Sequence, residues 1–372
     1  MSQASPRQIP VLVLAGFLGS GKTTLLNHLL HRSGGSRIGA VVNDFGAIEI
    51  DAMAVAGALG DSTVSLGNGC LCCAVDSSEL DLYLDRLARP ATRMDVIVIE
   101  ASGLAEPQEL VKMLLASENP HIVYGGLVEV VDAAEFDATR EKHPEIDRHL
   151  ALADLVVVNK TDRADDPDRV LRLVRTLADG AAVVPASYGR IDPGFLFDCR
   201  PAEERLGQLS FDDLHRHGED EDGAADEHHR HLHSAYDSLS FTSGAPLSPR
   251  RLMDFLDSRP DGLYRIKGYV DFGPSDPRNR YAVHAVGRFL RFYPEPWPPG
   301  GPAERLTQLV LIGSGIDTPA LGKELEACKD DAPHADEHGM WGVLRYVQEP
   351  DVPEQETESR MQETESPRED VL

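Results

Sequence analysis

Short apolar segments alternate with helical segments through the first half of the chain. Six of these segments are nearly continuous in β-branched and other apolar residues: PVLVLAG, GAVVND, DVIVIEAS, GGLVEVVDA, DLVVVNKTD and AAVVPAS. Such strands are typical of a mainly parallel sheet that is buried on both faces between two layers of helices. The sequence therefore predicts a doubly wound α/β domain over residues 1–205.

The remainder of the chain divides into three further segments. Residues 206–236 are rich in His, acidic residues and Gly, and we interpret them as a linker. Residues 237–347 are predicted to form a smaller C-terminal α+β domain, with helices in PRRLMDFLDS and TPALGKELEAC and strands in LYRIKGYVDF, YAVHAVGRFLRFY and TQLVLIGS. Residues 348–372 repeat the acidic sequence QETES, which predicts a disordered tail.

The net charge and the arrangement of the cysteines argue against several classes of function. The 372 residues carry a formal net charge of −26, which argues against binding to nucleic acid or to an anionic membrane. The N-terminal apolar run VLVLAG is too short for a signal peptide or a membrane span. Three of the five cysteines lie within four residues, a layout that favours metal or redox chemistry in a reducing compartment. We therefore expect a cytoplasmic protein.

A glycine-rich motif connects the first predicted strand to the first predicted helix. Residues 16–23, GFLGSGKT, match the P-loop pattern G-x-x-x-x-G-K-T in its expected strand-to-helix context. Backbone N–H groups and the helix N-terminus would surround phosphates, Lys22 would reach the β and γ phosphates, and Thr23 would bind Mg²⁺. The predicted phosphate-binding residues are Gly16, Gly19, Ser20, Gly21, Lys22, Thr23 and Thr24.

The sequence NKTD follows another buried strand and indicates the base of the nucleotide. Asp162 is suited to accept both N–H groups of guanine N1 and N2, an arrangement that adenine does not offer. Asn159 and Lys160 would frame the base at the carboxyl edge of the sheet. Together with the P-loop, this motif predicts GTP as the ligand.

Two further strand ends carry candidate catalytic residues. Glu100 ends the strand DVIVIE, where an acid can hold Mg²⁺ through water or orient the attacking water. Gly103 follows it, and its N–H is predicted to sense the γ-phosphate. Asp44, at the end of the strand GAVVND, is predicted to approach Mg²⁺. We expect Glu100, Lys22 and Asp44 to form the catalytic set.

The sequence GCLCC lies between these two strand ends. In an extended backbone Cys70 and Cys72 point the same way and can bind one soft ion, while Cys73 adds a third thiolate or stays structural. Thiolates favour Zn²⁺, with Cu(I), Co²⁺ and Ni²⁺ as alternatives. The competing interpretation is that the three cysteines are small buried packing residues, since free Cys is often found in protein interiors. Cys199 and Cys328 are interpreted as packing residues.

The histidines of the predicted linker are a second candidate metal site. Imidazoles spaced by two residues on a mobile chain would bind Zn²⁺, Ni²⁺ or Co²⁺ weakly, and a solvated His-rich loop is the alternative. These residues are His215, His217, His228, His229, His231 and His233.

Five motifs in this order resemble the CobW-type metallochaperone GTPases, relatives of the urease and hydrogenase accessory GTPases: GFLGSGKTTLLNHLL, NDFG, GCLCC, EASGLAEP and NKTD. LYRIKGYVDF and LVLIGSGID extend the resemblance into the C-terminal domain. It implies slow GTP hydrolysis with Mg²⁺, metal binding at the Cys-x-Cys-Cys motif, and transfer of the metal to a client metalloprotein. The chain departs from the family at Ala47, where many members carry a metal-binding glutamate.

The resulting hypothesis is a GTP-hydrolysing metal chaperone that handles zinc, with cobalt and nickel as alternatives. A non-enzymatic zinc buffer and a cobalt-handling GTPase of cobalamin biosynthesis remain as competing interpretations. A nucleotide- or metal-dependent homodimer is a further expectation. The first hypothesis requires that metal affinity differ between the two nucleotide states, which the buffer hypothesis does not.

Overall fold

The structure of the protein is a computed structural model. The structure describes residues 8–33, 35–43, 63–66, 77–89, 92–103, 105–198, 236–298, 305–330 and 336–347. These ranges cover parts of both predicted domains. The predicted linker, except for its last residue, and the predicted tail lie outside them.

The N-terminal domain contains a seven-stranded sheet in which all neighbouring strands run parallel. The strand order is β3-β2-β4-β1-β5-β6-β7. Its strands are β1 Ile9–Ala15, β2 Ile38–Asn43, β3 Thr63–Leu66, β4 Val96–Glu100, β5 Ile122–Asp132, β6 Leu155–Asn159 and β7 Ala182–Pro185. The prediction of a doubly wound domain is confirmed, and β3, which was not predicted, lies at one edge of the sheet.

Helices cover both faces of this sheet. They are α1 Lys22–His31, α2 Ser77–Ala88, α3 Pro107–Ala116, α4 Phe136–Lys142, α5 Ile146–Leu152, α6 Pro167–Leu177 and α7 Pro193–Leu196. On one face, Leu25 and Leu29 of α1 pack against Leu12 and Val128 of the sheet. On the other face, α2, α3, α5 and α6 bury leucine, isoleucine and valine side chains against the alternate residues of the strands. The central strands are therefore apolar on both sides.

The C-terminal domain contains a five-stranded antiparallel sheet in the order β11-β10-β9-β12-β8. Its elements are β8 Asp237–Ser243, α8 Pro249–Asp257, β9 Leu263–Val270, β10 Asn279–Val286, β11 Phe289–Pro296, β12 Thr307–Gly313, α9 Thr318–Ala327 and α10 Glu337–Leu344. The helices pack against one face of the sheet through a separate apolar core. This arrangement confirms the predicted α+β class.

One strand prediction in this domain was wrong. The sequence YAVHAVGRFLRFY was expected to be a single strand, but it forms the hairpin β10–β11. Gly287 has φ +52°, which is the left-handed conformation that a tight turn requires, and it ends β10 where the apolar pattern continues. The helix α10 was also not predicted. Cys328 is buried in this domain, as expected of a packing residue.

The two domains share part of one apolar core. Tyr264, Val286 and Ile312 of the antiparallel sheet belong to the cluster that contains α1 and Phe195. His284 of β10 hydrogen-bonds the carbonyl oxygen of Tyr124 in β5 at 2.9 Å. Backbone and side-chain hydrogen bonds to Gly180 and Val183 complete the contact. The domains therefore form an extensive mutual interface.

In the part of the chain that the structure describes, we find no helix both long and apolar enough to cross a membrane.

Candidate functional site

The candidate site lies where the loops after β1, β4, β6 and β7 meet at one edge of the parallel sheet. β1 lies between β4 and β5, so the loop that follows it is central at this edge. Residues 16–21 of that loop connect β1 to α1, as the P-loop pattern predicts. Carboxyl edges of parallel sheets are where α/β proteins bind ligands.

The glycines of the P-loop occupy conformations and spaces that other residues do not fit. Gly16, Gly19 and Gly21 have φ values of +140°, +79° and +103°. A Cβ atom on Gly16 would lie 2.2 Å from the carbonyl oxygen of Val130, and one on Gly21 would lie 2.3 Å from Nδ2 of Asn159. The loop is thus packed directly against β5 and the NKTD segment, which fixes the direction of its backbone N–H groups.

Lys22 and Ser20 are buried in the P-loop. The Nζ atom of Lys22 donates to the carbonyl oxygens of Gly16 at 2.8 Å and Phe17 at 3.3 Å. Ser20 is 2% exposed, and its Oγ has no hydrogen-bond partner among the described residues. No side chain caps the N-terminus of α1, which begins at Lys22. A buried cation, a buried hydroxyl and an uncapped helix N-terminus fit an anionic phosphate group.

Thr23 and Glu100 meet beside this loop. The hydroxyl of Thr23 donates to Oε1 of Glu100 at 2.6 Å, and Glu100 is 4% exposed at the end of β4. Hydroxyl and carboxylate oxygens are hard donors, which suits Mg²⁺, a cation that is bound in proteins through one or two carboxylates together with substrate phosphates. The donor set present therefore fits the predicted magnesium site. Thr24, the next residue, is exposed in the first turn of α1.

The segment after β4 contacts the P-loop at Gly103. A Cβ atom at this position would lie 2.7 Å from the backbone nitrogen of Leu18. Only glycine allows this approach, so the backbone after Glu100 lies directly against the P-loop. This contact brings together two regions that the sequence predicted to act on the same phosphate.

The NKTD residues reach the P-loop from the other side. Asn159 is 2% exposed; its Nδ2 donates to the carbonyl oxygen of Ser20, and its Oδ1 accepts from the N–H of Gly189, both at 2.9 Å. Lys160 has φ +57°, and its Nζ donates to the carbonyl oxygen of Gly19 at 2.7 Å. Asp162 is exposed at the same edge, in the turn Thr161–Arg163. The motif is thus joined to the phosphate loop by direct hydrogen bonds.

Two contributors to this site were not predicted. Asp132, the last residue of β5, pairs with Lys160 Nζ at 2.6 Å and so fixes that side chain. The loop after β7 holds Asn159 through Gly189, and Thr161 through the carbonyl oxygen of Ala186 at 3.0 Å. The pattern that identified β5 and β7 as parallel strands also implied that the residues after them lie at this edge.

Asp44, Cys70, Cys72 and Cys73 lie outside the described residues. The histidines of the predicted linker lie outside them as well. Within the described ranges there is no cluster of three or more His, Cys, Asp or Glu side chains that could hold a metal ion.

Two protein-family models match the chain. Residues 10–185 match the model described as CobW/HypB/UreG, nucleotide-binding domain. Residues 236–329 match the model described as Cobalamin synthesis protein cobW C-terminal domain. The first match includes the P-loop, Glu100 and the NKTD segment.

Curated relatives extend over most of the chain. It is 30% identical to a "Zinc chaperone CobW" from Sinorhizobium sp, over 84% of this chain and 94% of that protein. It is 31% identical to a "Zinc chaperone CobW" from Pseudomonas aeruginosa, over 86% of this chain and 91% of that protein. A "Zinc chaperone YjiA" from Escherichia coli is 31% identical over 51% of this chain and 61% of its own length. The chain therefore belongs to the CobW family of P-loop nucleotide-binding proteins.

Proposed function

We propose that this protein hydrolyses GTP and delivers zinc, bound at Cys70, Cys72 and Cys73, to a client metalloprotein in a nucleotide-dependent way. The observation that carries the nucleotide part is the direct hydrogen bonding between the P-loop and the NKTD segment, through Asn159 and Lys160. The zinc part is supported by the relatives named as zinc chaperones, which align over most of the chain.

Phosphate binding follows from the groups buried around the P-loop. Lys22 now donates to two carbonyl oxygens of its own loop, and an arriving phosphate offers its ammonium group stronger, anionic acceptors. The Oγ of Ser20 and the N–H groups at the start of α1 supply further donors. Lys160 neighbours the same loop and adds positive charge to its rim.

Glu100 is the residue that we assign to hydrolysis. Its contact with Thr23 at 2.6 Å lies at the end of the strand next to β1, close to Gly103 and the P-loop. When bound, Mg²⁺ neutralises charge on the β and γ phosphates. Thr23 and Glu100 are the described residues that would hold it. Glu100 would also orient the water that attacks the γ-phosphate.

Coupling to zinc is argued from the order of residues along the chain. Cys70, Cys72 and Cys73 lie between Asp44 and Glu100. The segments that would tighten around a γ-phosphate therefore flank the thiolates in the sequence. A movement of these segments would alter the geometry of the thiolates. A thiolate set favours zinc over harder cations.

The test is a zinc titration of the purified protein against a competing chelator. It is performed with Mg²⁺ and either GDP or a non-hydrolysable GTP analogue. We expect at least a fivefold difference in zinc affinity between the two nucleotide states, as is typical of coupled sites. Equal affinities would contradict the chaperone proposal and favour a zinc buffer.

A matched pair of variants assigns the metal site. The double variant Cys70→Ser, Cys72→Ser should lose the tight zinc site and keep GTP hydrolysis. Cys328→Ser is the control, because Cys328 is a buried thiol in the C-terminal domain that contacts Glu324 and Arg251. Unchanged zinc affinity in the double variant would exclude the Cys-x-Cys-Cys motif as the site.

A further inference from the structure

An acidic side chain lies inside the apolar core next to the P-loop. Glu129 of β5 is 1% exposed, and its Oε2 has no hydrogen-bond partner in the described part of the chain. In the sheet it pairs with Ala15, the residue that immediately precedes the P-loop. A buried carboxyl oxygen that lacks a hydrogen-bond partner is costly, and each such oxygen in a native structure requires a physical explanation.

The neighbours of Glu129 on its own strand are apolar. Leu127 and Val131, two residues away on either side, point to the same face of the sheet and belong to the cores beneath α3 and α5. Val130 instead points to the opposite face, which is covered by α1. Glu129 is therefore enclosed by hydrocarbon on its strand, and its charged form is poorly solvated.

Lys22 is the cation that acts on Glu129. Burial raises the pKa of Glu129 to about 8, and the positive charge of Lys22 opposes this rise. Lys22 itself donates a hydrogen bond to the carbonyl oxygen of Gly16. Gly16 directly follows Ala15, the residue that pairs with Glu129 in the sheet. The ionised carboxyl of Glu129 and a bound phosphate would therefore both depend on the positive charge of the same ammonium group.

Other charged groups surround this end of the sheet on the elements packed there. Lys160 is paired with Asp132, and Glu100 contacts Thr23. On the side of α3 and α5, the described titratable groups near the P-loop include His143, Glu145, His149 and Glu106, and Glu106 also pairs with Arg148 at 2.7 Å. Of these, His149 and Glu106 contact each other, and His143 contacts Glu145.

We propose that Glu129 is a positioning residue that couples nucleotide binding to proton uptake. Without nucleotide and above the pKa of Glu129, its carboxylate is ionised and attracts the ammonium group of Lys22. When phosphate binds, Lys22 turns its charge to the phosphate oxygens, and the Glu129 carboxylate takes one proton from solvent to become a neutral carboxylic acid. This inference rests on the nucleotide-binding part of the proposed function and is independent of zinc.

The coupling has a definite dependence on pH. Below the pKa of Glu129 the group is already protonated, so binding takes up no proton from it. Above that pKa, binding must first protonate the carboxylate, which weakens the affinity. We expect the affinity for GDP to fall about fourfold between pH 7.0 and pH 8.5 through this group alone.

The experiment is calorimetry of GDP binding to the full-length protein at pH 7.0 and 8.5, each in two buffers of different ionisation enthalpy. The difference between buffers gives the number of protons taken up. We expect uptake at pH 8.5 that is much larger than at pH 7.0 in the wild-type protein. The variant Glu129→Gln should bind GDP with the pH 7.0 affinity of the wild type and lose this uptake.

Glu135→Gln is the matched control, because Glu135 is an exposed acid shortly after β5. It should retain the uptake of the wild-type protein. Wild-type binding without extra uptake at pH 8.5, or equal uptake in Glu129→Gln, would overturn the inference. A protein that binds no GDP at either pH would instead overturn the proposed function, so the two failures are distinguishable.

Discussion

We propose that selection of the guanine base depends on one exposed carboxylate. Asp162 is suited to accept two N–H groups from guanine, and its replacement by Asn exchanges one acceptor for an NH₂ donor. We expect Asp162→Asn to weaken GDP binding at least a hundredfold and to gain affinity for xanthosine diphosphate, whose carbonyl oxygen at C2 accepts from the new amide. Competition binding with both nucleotides measures the change.

Asp165→Asn is the control for this exchange of charge. Asp165 is exposed three residues further along the same loop, so it undergoes the same chemical change without facing the predicted base. It should bind GDP like the wild-type protein. If Asp162→Asn retained its preference for GDP, the assignment of Asp162 to guanine would be wrong.

Two P-loop glycines with different surroundings give a second prediction. A Cβ atom on Gly21 would lie 2.3 Å from Asn159 Nδ2, whereas one on Gly19 would meet no atom within 4 Å. Both have positive φ, which costs an alanine about 1–2 kcal/mol. We expect Gly21→Ala to lose more free energy of unfolding than Gly19→Ala, because it also displaces Asn159.

Urea unfolding of the nucleotide-free variants measures this difference. Displacement of Asn159 also breaks its bonds to Ser20 and Gly189, so Gly21→Ala should lose GDP binding as well. Equal destabilisation in the two variants would mean that the contact between the P-loop and Asn159 contributes little to the fold.

At the scale of single residues, the sequence identified those site residues that belong to a short sequence motif. Lys22, Thr23, Asn159 and Lys160 were identified from two short motifs, and the described structure brings them together. Asp132 and Glu129 were not identified, because a single acid within an apolar strand is part of no motif. Their roles depend on the register of β1, β5 and β6, which is set by contacts between distant parts of the chain.

Strand β10 carries one of the polar contacts between the two domains. His284 donates through Nε2 to the carbonyl oxygen of Tyr124, and burial lowers the pKa of His284 to about 4. A histidine whose pKa falls on folding stabilises the protein above its unfolded pKa of about 6.5, and this contribution is lost as the pH falls toward 4. The interface should therefore weaken in mild acid.

The variant His284→Gln tests this effect, because its amide can donate the same hydrogen bond without titrating. From pH 7.5 to pH 5.5 the wild-type protein should lose about 1.4 kcal/mol of unfolding free energy more than the variant. Urea unfolding at both pH values gives the comparison. The same loss in both proteins would assign the acid sensitivity to other groups, such as His28, whose pKa burial also lowers.

Strands were predicted correctly where a continuous apolar run marked them in the sequence. β1, β2 and β4 to β7 are buried on both faces, so their apolar runs were sufficient to identify them. β3 was missed because its four residues, TVSL, are too few to establish a strand period, although they do alternate polar and apolar side chains. The β10–β11 hairpin was missed because its turn, Gly287 and Arg288, interrupts the apolar run only briefly.

Across the whole molecule, the shared core should make the two domains unfold together. Tyr264 of β9 stacks on Phe195 at a ring centroid distance of 5.2 Å and is 1% exposed within the core of the nucleotide-binding domain. Separation of the domains would expose this side chain. The free energy gained when nucleotide binds one domain should therefore also stabilise the other.

The two tryptophans of the chain provide the measurement, since Trp297 and Trp341 both lie in the C-terminal domain. GDP at a hundredfold excess over its Kd should add about 2.7 kcal/mol to the unfolding free energy. Tryptophan fluorescence and far-UV circular dichroism should report the same shift. In Tyr264→Ala the shift of the fluorescence transition with GDP should be clearly smaller, because a large part of the shared core is removed while Val286, Ile312 and the hydrogen bonds remain.

Tyr264→Phe is the matched control for this loss. The hydroxyl of Tyr264 has no hydrogen-bond partner among the described residues, so its removal leaves the stacking on Phe195 intact and should preserve the response. A fluorescence transition that ignores GDP in the wild-type protein would mean that the domains unfold independently. Nucleotide state would then reach the C-terminal domain by a route other than the shared core. If the fluorescence transition does respond to GDP, nucleotide binding affects the C-terminal domain through the interface itself.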